Sequence, residues 1–260
     1  MRIATWNVNS ITARLPRLLA WLESSGTDVL CLQEAKCAED AFPFEELRAL
    51  GYEAAVNATG RWNGVAVLSR VGLENVVVGL PGGPDYDGGQ EPRAISATCG
   101  GVRVWSVYVP NGREVGHDHY AYKLHWLEAL RDAVTADATG ELPFAVLGGL
   151  QRGPPTDEDV YDPAVFEGST HVTPAERAAL AALRDAGLSD IVPRPLKYDH
   201  PYTYWDYRQL CFPKNRGMRI DLVYGNESFA KAKRDAYVDR DERKGKGASD
   251  HAPVVVDLDV

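Results

Sequence analysis

The residues best equipped for chemistry are an asparagine, three carboxylates and a histidine at the ends of apolar runs. Asn7 closes the run that begins at Arg2, and Glu34 follows DVLCLQ. Asp221 lies inside RIDLVY, and Asp250 and His251 precede the run Pro253 to Leu258. Oxygen ligands converging from separate strand ends suit a hard cation such as Mg²⁺, with an imidazole beside it. An Asp-His pair alone is more often structural or solvated than functional, so the set carries more weight than any member. Tyr108, Asn111 and Gly112 end or follow another run, in YVPNG. One strand end is notable for what it lacks. Phe144 to Leu147 is apolar and stops at Gly148-Gly149, and the turn beyond offers only Gln151 and Arg152, with no carboxylate. In α/β proteins the carboxyl ends of strands are where ligands sit.

The elements that must hold these residues are legible from periodicity. Strand patterns cover Arg2 to Val8, Asp28 to Gln33, Tyr52 to Val56, Gly64 to Leu68, Ile95 to Cys99, Val102 to Val109, Phe144 to Leu147, Tyr202 to Trp205, Met218 to Tyr224 and Pro253 to Leu258. Helical spacing marks Arg14 to Ser25, Phe44 to Leu50 and Tyr120 to Val134. Thr173-Pro174-Ala175-Glu176 opens a further helix, with Thr173 as cap, Pro174 at the first helical position and Glu176 reaching back. Pro81 to Pro92 is rich in Gly, Pro and Asp and reads as an exposed loop. There is no linker, low-complexity segment or internal repeat. Strands outnumber helices and interleave with them, so the expectation is one α/β domain over residues 1–260 with two sheets and flanking helices.

Composition narrows the class. The chain has 260 residues, 45% of them hydrophobic and 25% charged, as in an ordinary globular protein. No apolar run approaches the roughly 20 residues of a membrane helix. The start, MRIATWNVNS, has no apolar signal region, which points to a cytoplasmic protein with no membrane partner. Cys31, Cys37, Cys99 and Cys211 are scattered and read as reduced thiols. His117-Asp118-His119 has the residue types of a transition-metal site but sits in a polar loop, and the solvated reading is preferred. The net charge of −9 argues against nucleic acid. Clustered metal-binding carboxylates weaken that argument, and Lys231, Lys233, Arg234, Arg240, Arg243, Lys244 and Lys246 crowd the C-terminal part as a candidate basic face.

The motifs WNVNSI, LQEAK, NGVAVLSR, YVPNG, YTYWDYR, RIDLV and SDHAPV, in this order, resemble the exonuclease III family of the endonuclease/exonuclease/phosphatase superfamily. The likeness runs from Arg2 to Val256. It implies a four-layered α/β sandwich, two mixed β-sheets packed together and flanked by helices. It implies Mg²⁺ (or Mn²⁺) held by Glu34, Asn7 and Asp250, with His251 at the scissile phosphate, oriented by Asp221, and Tyr108 nearby. Asn63, Asn111, Trp205 and Arg208 resemble substrate-cleft residues. The implied substrate is double-stranded DNA with abasic sites or 3′ ends, and the implied state a monomer. Bland readings compete: Tyr108 or Trp205 as core aromatics, and Asp221 as the buried partner of Arg219.

The chain departs from this family at the opening turn. Gly-Asp-x-Asn is expected, where the aspartate activates water and the asparagine steadies phosphate and metal. Gly148-Gly149-Leu150-Gln151 stands there instead. Gly149 occupies the aspartate position and cannot take a proton; Gln151 occupies the asparagine position with its amide one methylene further out. Loss of a general base typically lowers a rate by about 10²–10⁴. A reading-frame change accounts for the wording. Gly-Asp-Phe-Asn-Val-Ala-Pro-Thr written GGC GAC TTC AAC GTG GCC CCC ACC becomes, with one G inserted after the first codon, GGC GGA CTT CAA CGT GGC CCC. That translates as Gly-Gly-Leu-Gln-Arg-Gly-Pro, the wording of Gly148 to Pro154. Two more bases in the C-run restore the frame and add Pro155. The hypothesis is a compensated frameshift or a sequencing error, and resequencing the gene decides between them. The resemblance, with this departure, implies three candidate functions: a Mg²⁺-dependent repair nuclease, a DNA-binding homologue with impaired catalysis, and a phosphatase on small phosphoesters.

Overall fold

The computed structural model describes residues 1–149, 156–166 and 173–260. Two six-stranded sheets pack face to face. The first contains β1 (Arg2–Asn7), β2 (Val29–Gln33), β3 (Glu53–Asn57), β4 (Val65–Ser69), β11 (Lys233–Val238) and β12 (Val254–Leu258), in the order β11-β12-β1-β2-β4-β3. The second contains β5 (Glu74–Val78), β6 (Ala94–Cys99), β7 (Val102–Tyr108), β8 (Phe144–Gly149), β9 (Ser189–Asp190) and β10 (Asp221–Gly225), in the order β5-β6-β7-β8-β10-β9. Helices α1 (Ile11–Ser25) and α2 (Phe44–Ala49) cover the outer face of the first sheet, and α3 (Asp118–Ala138) and α4 (Pro174–Asp185) that of the second. A short α5 (Glu227–Ala232) joins β10 to β11.

The period-two geometry of a strand explains why the central strands read as continuous apolar runs. In β2, Val29 and Cys31 enter the core between the sheets while Leu30 and Leu32 pack under the helices. In β8, Ala145 and Leu147 face the first sheet while Phe144 and Val146 pack under α3. Both faces are buried, so the runs VLCL and FAVL are apolar throughout. Helix ends follow local chemistry. The Ser10 side chain accepts from Ala13 N at the start of α1, and Gly26, with φ 66°, closes it. Thr173 and Glu176 form the expected capping box at α4.

Topology brings the chemistry to one end. β1 and β2 are parallel, with Asn7 opposite Gln33, and β7 and β8 are parallel, with Tyr108 opposite Gly149. These strands contribute their carboxyl ends. β12 runs antiparallel to β1, and β10 antiparallel to β8 with Asp221 opposite Gly149. These contribute their amino ends, so Asp221 and the segment 249–251 meet the other four residues at the same edge.

Several expectations need correction. Tyr202 to Trp205 is not a strand: Tyr204 makes only isolated bridges, to Met218 and His251. Met218 to Tyr224 is strand only from Asp221, because Met218 bridges Val160 and Tyr204 instead of joining the sheet. The basic C-terminal face is neutralised in part. Lys231 pairs with Glu227, Arg234 lies near Asp257 and Asp259, and Lys244 pairs with Asp241. Arg240 and Arg243 lie over the ring of Phe212. All four cysteines are free thiols. Among the described residues no helix is long and apolar enough to cross a membrane.

Candidate active site

Asn7, Glu34, Tyr108, Gly149, Asp250 and His251 line one cleft, where the two sheets meet. Glu34 leaves β2 with φ 54°, and Lys36 follows with φ 50°. Left-handed backbone is unfavourable for such residues and persists only where the surroundings hold it. Here Ala35 N donates to Gly64 O and Lys36 N to Asn63 O. The bend turns the Glu34 carboxylate back over the strand end. Its Oε1 accepts from Asn7 Nδ2 at 2.8 Å, and its Oε2 lies 2.6 Å from Lys36 Nζ. Burial alone would raise the Glu34 pKa, but the Lys36 charge and the Asn7 hydrogen bond bring it down to about 2. The group is therefore a fixed anion.

Asn9 ties this anion to the next strand. Its Oδ1 accepts from Lys36 Nζ at 2.7 Å and its Nδ2 donates to Asp250 Oδ1 at 3.0 Å. Ser249 Oγ donates to Asn7 O at 2.7 Å, which docks the SDH segment beside β1. His251 Nδ1 lies 2.7 Å from Asp221 Oδ2, and both residues are buried. Asp221 N donates to Thr203 Oγ1 at 3.1 Å. Burial would depress the imidazolium, yet the charge and hydrogen bond of Asp221, helped by Asp250 and Glu34, lift His251 to about 9. A protonated ring has two donors. Nδ1 is committed to Asp221, which leaves Nε2–H for an acceptor in the cleft. Tyr204 packs on the ring, with centroids 4.9 Å apart.

The other expected residues lie elsewhere. Asn63 and Asn111 line an adjoining cleft that shares Glu34, Lys36 and Tyr108. Asn63 Nδ2 donates to Glu91 Oε1 at 2.9 Å. Arg208 is exposed and paired with Asp206. Trp205 is a core residue, 1% exposed, with its ring against Phe212 and its indole N–H on Asn215. Arg219 does not pair with Asp221; it binds Asp159 and Asp190 through bidentate contacts. His117 caps α3 and His119 Nδ1 accepts from Gly112 N, so that pair is structural. Gln151 lies outside the described residues. The sequence reading assigns no role to Asn9, Lys36, Thr203 or Tyr204, although each lies within a quoted motif.

Gly148 and Gly149 differ in kind. Gly148 has φ 134°, and a Cβ there would lie 2.2 Å from Val107 O. Among the described residues, a Cβ on Gly149 would meet only the Tyr108 ring, at 3.5 Å, an ordinary contact. The backbone thus has room for a side chain at 149, directed at Tyr108.

The oxygen donors fit a divalent cation. Among the described residues no three His, Cys, Asp or Glu side chains cluster as a metal cage. Mg²⁺ needs only one or two carboxylates, with waters and substrate oxygens completing its shell. Glu34 and Asp250, with the Asn7 amide, supply that, and the Lys36 ammonium at Glu34 already shows a cation-accepting position.

The sequence profile of the Endonuclease/Exonuclease/phosphatase family matches residues 4–251. The chain belongs to that family. Exodeoxyribonuclease III of Haemophilus influenzae is 29% identical, over 98% of each chain. A 3′-5′ exonuclease from Neisseria meningitidis superposes with a TM-score of 0.93 at 36% identity, over all of both chains. A second structure of the Neisseria protein, a 3′ phosphatase carrying an Asp-to-Asn change, holds a product DNA hairpin. An AP endonuclease from Archaeoglobus fulgidus superposes with a TM-score of 0.92 at 30% identity, again over all of both chains. The family is one of hydrolytic enzymes, and the two-sheet architecture described above is the one these relatives share.

Proposed function

We propose that this chain is a Mg²⁺-dependent (or Mn²⁺-dependent) DNA-repair phosphodiesterase of exodeoxyribonuclease III type, acting on double-stranded DNA at 3′ ends and abasic sites, with its activity lowered at Gly149. The observation that carries the reading is the convergence of the Asn7–Glu34 anion, Asp250 and the Asp221–His251 pair on one cleft. A bound Mg²⁺ would act as a Lewis acid on a phosphate oxygen. Asn7 and Lys36 hold Glu34 ionised and oriented for that cation. Charged His251 donates from Nε2 to a second phosphate oxygen, and Asp221 keeps it protonated and aimed. Fixed donors of this kind stabilise charge that develops during phosphoryl transfer. Tyr108 borders the same space. No side chain at 149 accepts the proton of the attacking water, so the rate is set by water activated without a positioned base.

The lack of a base favours a second reading, a DNA-binding homologue with impaired catalysis. The test incubates the purified protein with an abasic-site duplex and Mg²⁺, beside a Gly149→Asp, Gln151→Asn variant. Cleavage by the variant and slow cleavage by the parent chain is the expected result. Binding with no cleavage by the parent supports the second reading. If neither form cut DNA and one hydrolysed a small phosphoester, the nuclease reading would fall to a small-molecule phosphatase.

A further inference from the structure

Five of the six tryptophans are buried to 3% exposure or less; Trp62 is 68% exposed. A large aromatic left in solvent needs a reason, since such rings otherwise dominate cores and interfaces. Trp62 lies on the wall of the adjoining cleft, which shares Glu34, Lys36 and Tyr108 with the candidate active site. Its mount is rigid. Asn63 has φ 57°, its carbonyl accepts from Lys36 N, and its side chain donates to Glu91. Gly64 N donates to Pro92 O. The turn is thus bonded on one side to the loop that carries Glu34 and on the other to the segment leading into β6. The Arg61 guanidinium lies 5.4 Å from the Trp62 ring centroid.

Charge in this cleft is balanced, with Lys36, Arg93 and Arg113 against Glu34, Asp87 and Glu91, and gives no net pull on a phosphate backbone. Arg93 is held by Glu91, and Asp87 stands on the same wall. What the wall offers is an aromatic face, and every nucleobase has a π-face to place on it. We propose that Trp62 is a stacking platform for an unpaired base flanking the phosphate bound in the candidate active site, so that the chain prefers DNA whose end is frayed or single-stranded over fully paired ends. The inference rests on the nucleic-acid reading above and deepens it by naming the substrate class.

Because the other tryptophans are buried, iodide-quenchable fluorescence reports on Trp62. The experiment titrates the full chain, in Ca²⁺ to prevent turnover, with a DNA hairpin bearing a short unpaired 3′ tail and with the same hairpin blunt-ended. Labelled-DNA anisotropy measures binding independently. The tailed hairpin is expected to quench Trp62 and shield it from iodide. Trp62→Ala is expected to weaken tailed-hairpin binding by about 5- to 150-fold and Trp62→Phe far less, with blunt-hairpin binding little changed. Thermal midpoints of both variants should match the parent. Tight binding by anisotropy without quenching, or equal loss for both hairpins, overturns the stacking role and leaves the nuclease reading standing. No binding to either hairpin overturns both.

Discussion

The two walls of the candidate active site differ in completeness. The wall built by the first sheet is fully wired: Asn7, Asn9, Glu34, Lys36, Ser249 and Asp250 form one continuous hydrogen-bonded set. The wall built by the second sheet carries Asp221, committed to His251, and Tyr108, but a bare glycine between them in register at 149. The backbone around that glycine keeps the shape that a side chain would need. Gly148 is required by its left-handed φ and by the nearness of Val107 O, whereas nothing among the described residues around Gly149 requires a glycine. Among the described residues, the contrast between the walls therefore comes down to one position with room for a side chain and none in place.

The largest expected effect comes from filling the gap. Gly149→Asp with Gln151→Asn should raise the rate of abasic-duplex cleavage by about 10²–10⁴. A gel assay under single-turnover conditions measures it, and the thermal midpoint should move little. An unchanged rate in a folded variant would mean that the second wall lacks more than one carboxylate. The converse probe is Gly148→Ala. Its methyl would meet the Val107 carbonyl and the Gln33 side chain. We expect a loss of about 3 kcal/mol or more in urea unfolding. A neutral result would erase the distinction between the two glycines.

The pair that joins the walls predicts a pH dependence. His251 titrates near 9 in the folded chain, above its unfolded value of about 6.5. Its contribution to stability is full below about pH 6.5 and is lost as pH rises through about 9. The loss should be of the order of 3 kcal/mol. Asp221→Asn should flatten that window and bring the imidazole pKa, followed by NMR, back toward its ordinary range. If the histidine still titrated near 9 in the variant, Asp221 would not be what holds its proton. Glu34 gives the opposite sign. Its pKa is lowered to about 2, so its contribution is present above about pH 4.3 and is lost as pH falls toward 2.

How much of this was legible depended on burial. β2 and β8 announce themselves because both faces of their apolar runs are buried, β1 because it alternates, and α4 because its cap is local chemistry. β5 (ENVVV) and β11 (KRDAYV) were missed: both are edge strands with exposed or charged residues and no clean alternation. α5 is too short for periodicity. Asn7, Glu34, Asp221, Asp250 and His251 could be found from their places at strand ends. The roles of Asn9 and Lys36 could not, because they depend on left-handed backbone at Asn9, Glu34 and Lys36 that no local motif signals. Trp205 illustrates the reverse: its motif suggested a substrate contact, yet its ring is enclosed by Phe212 and Arg240.

The smallest expected effect is the sharpest probe of the gap itself. Gly149→Ala adds a methyl at ordinary distance from Tyr108, at a position whose φ is outside the left-handed region. Relative to glycine, alanine restricts the unfolded chain, so a compatible site should gain about 0.4–1 kcal/mol. Cleavage should stay at the parent level, since a methyl accepts no proton. Denaturation midpoints and the same gel assay measure both. Stabilisation without a change in rate separates the space at 149 from the chemistry it lacks. Marked destabilisation would show that the glycine is demanded by packing, and the expected gain from aspartate would lose its structural basis.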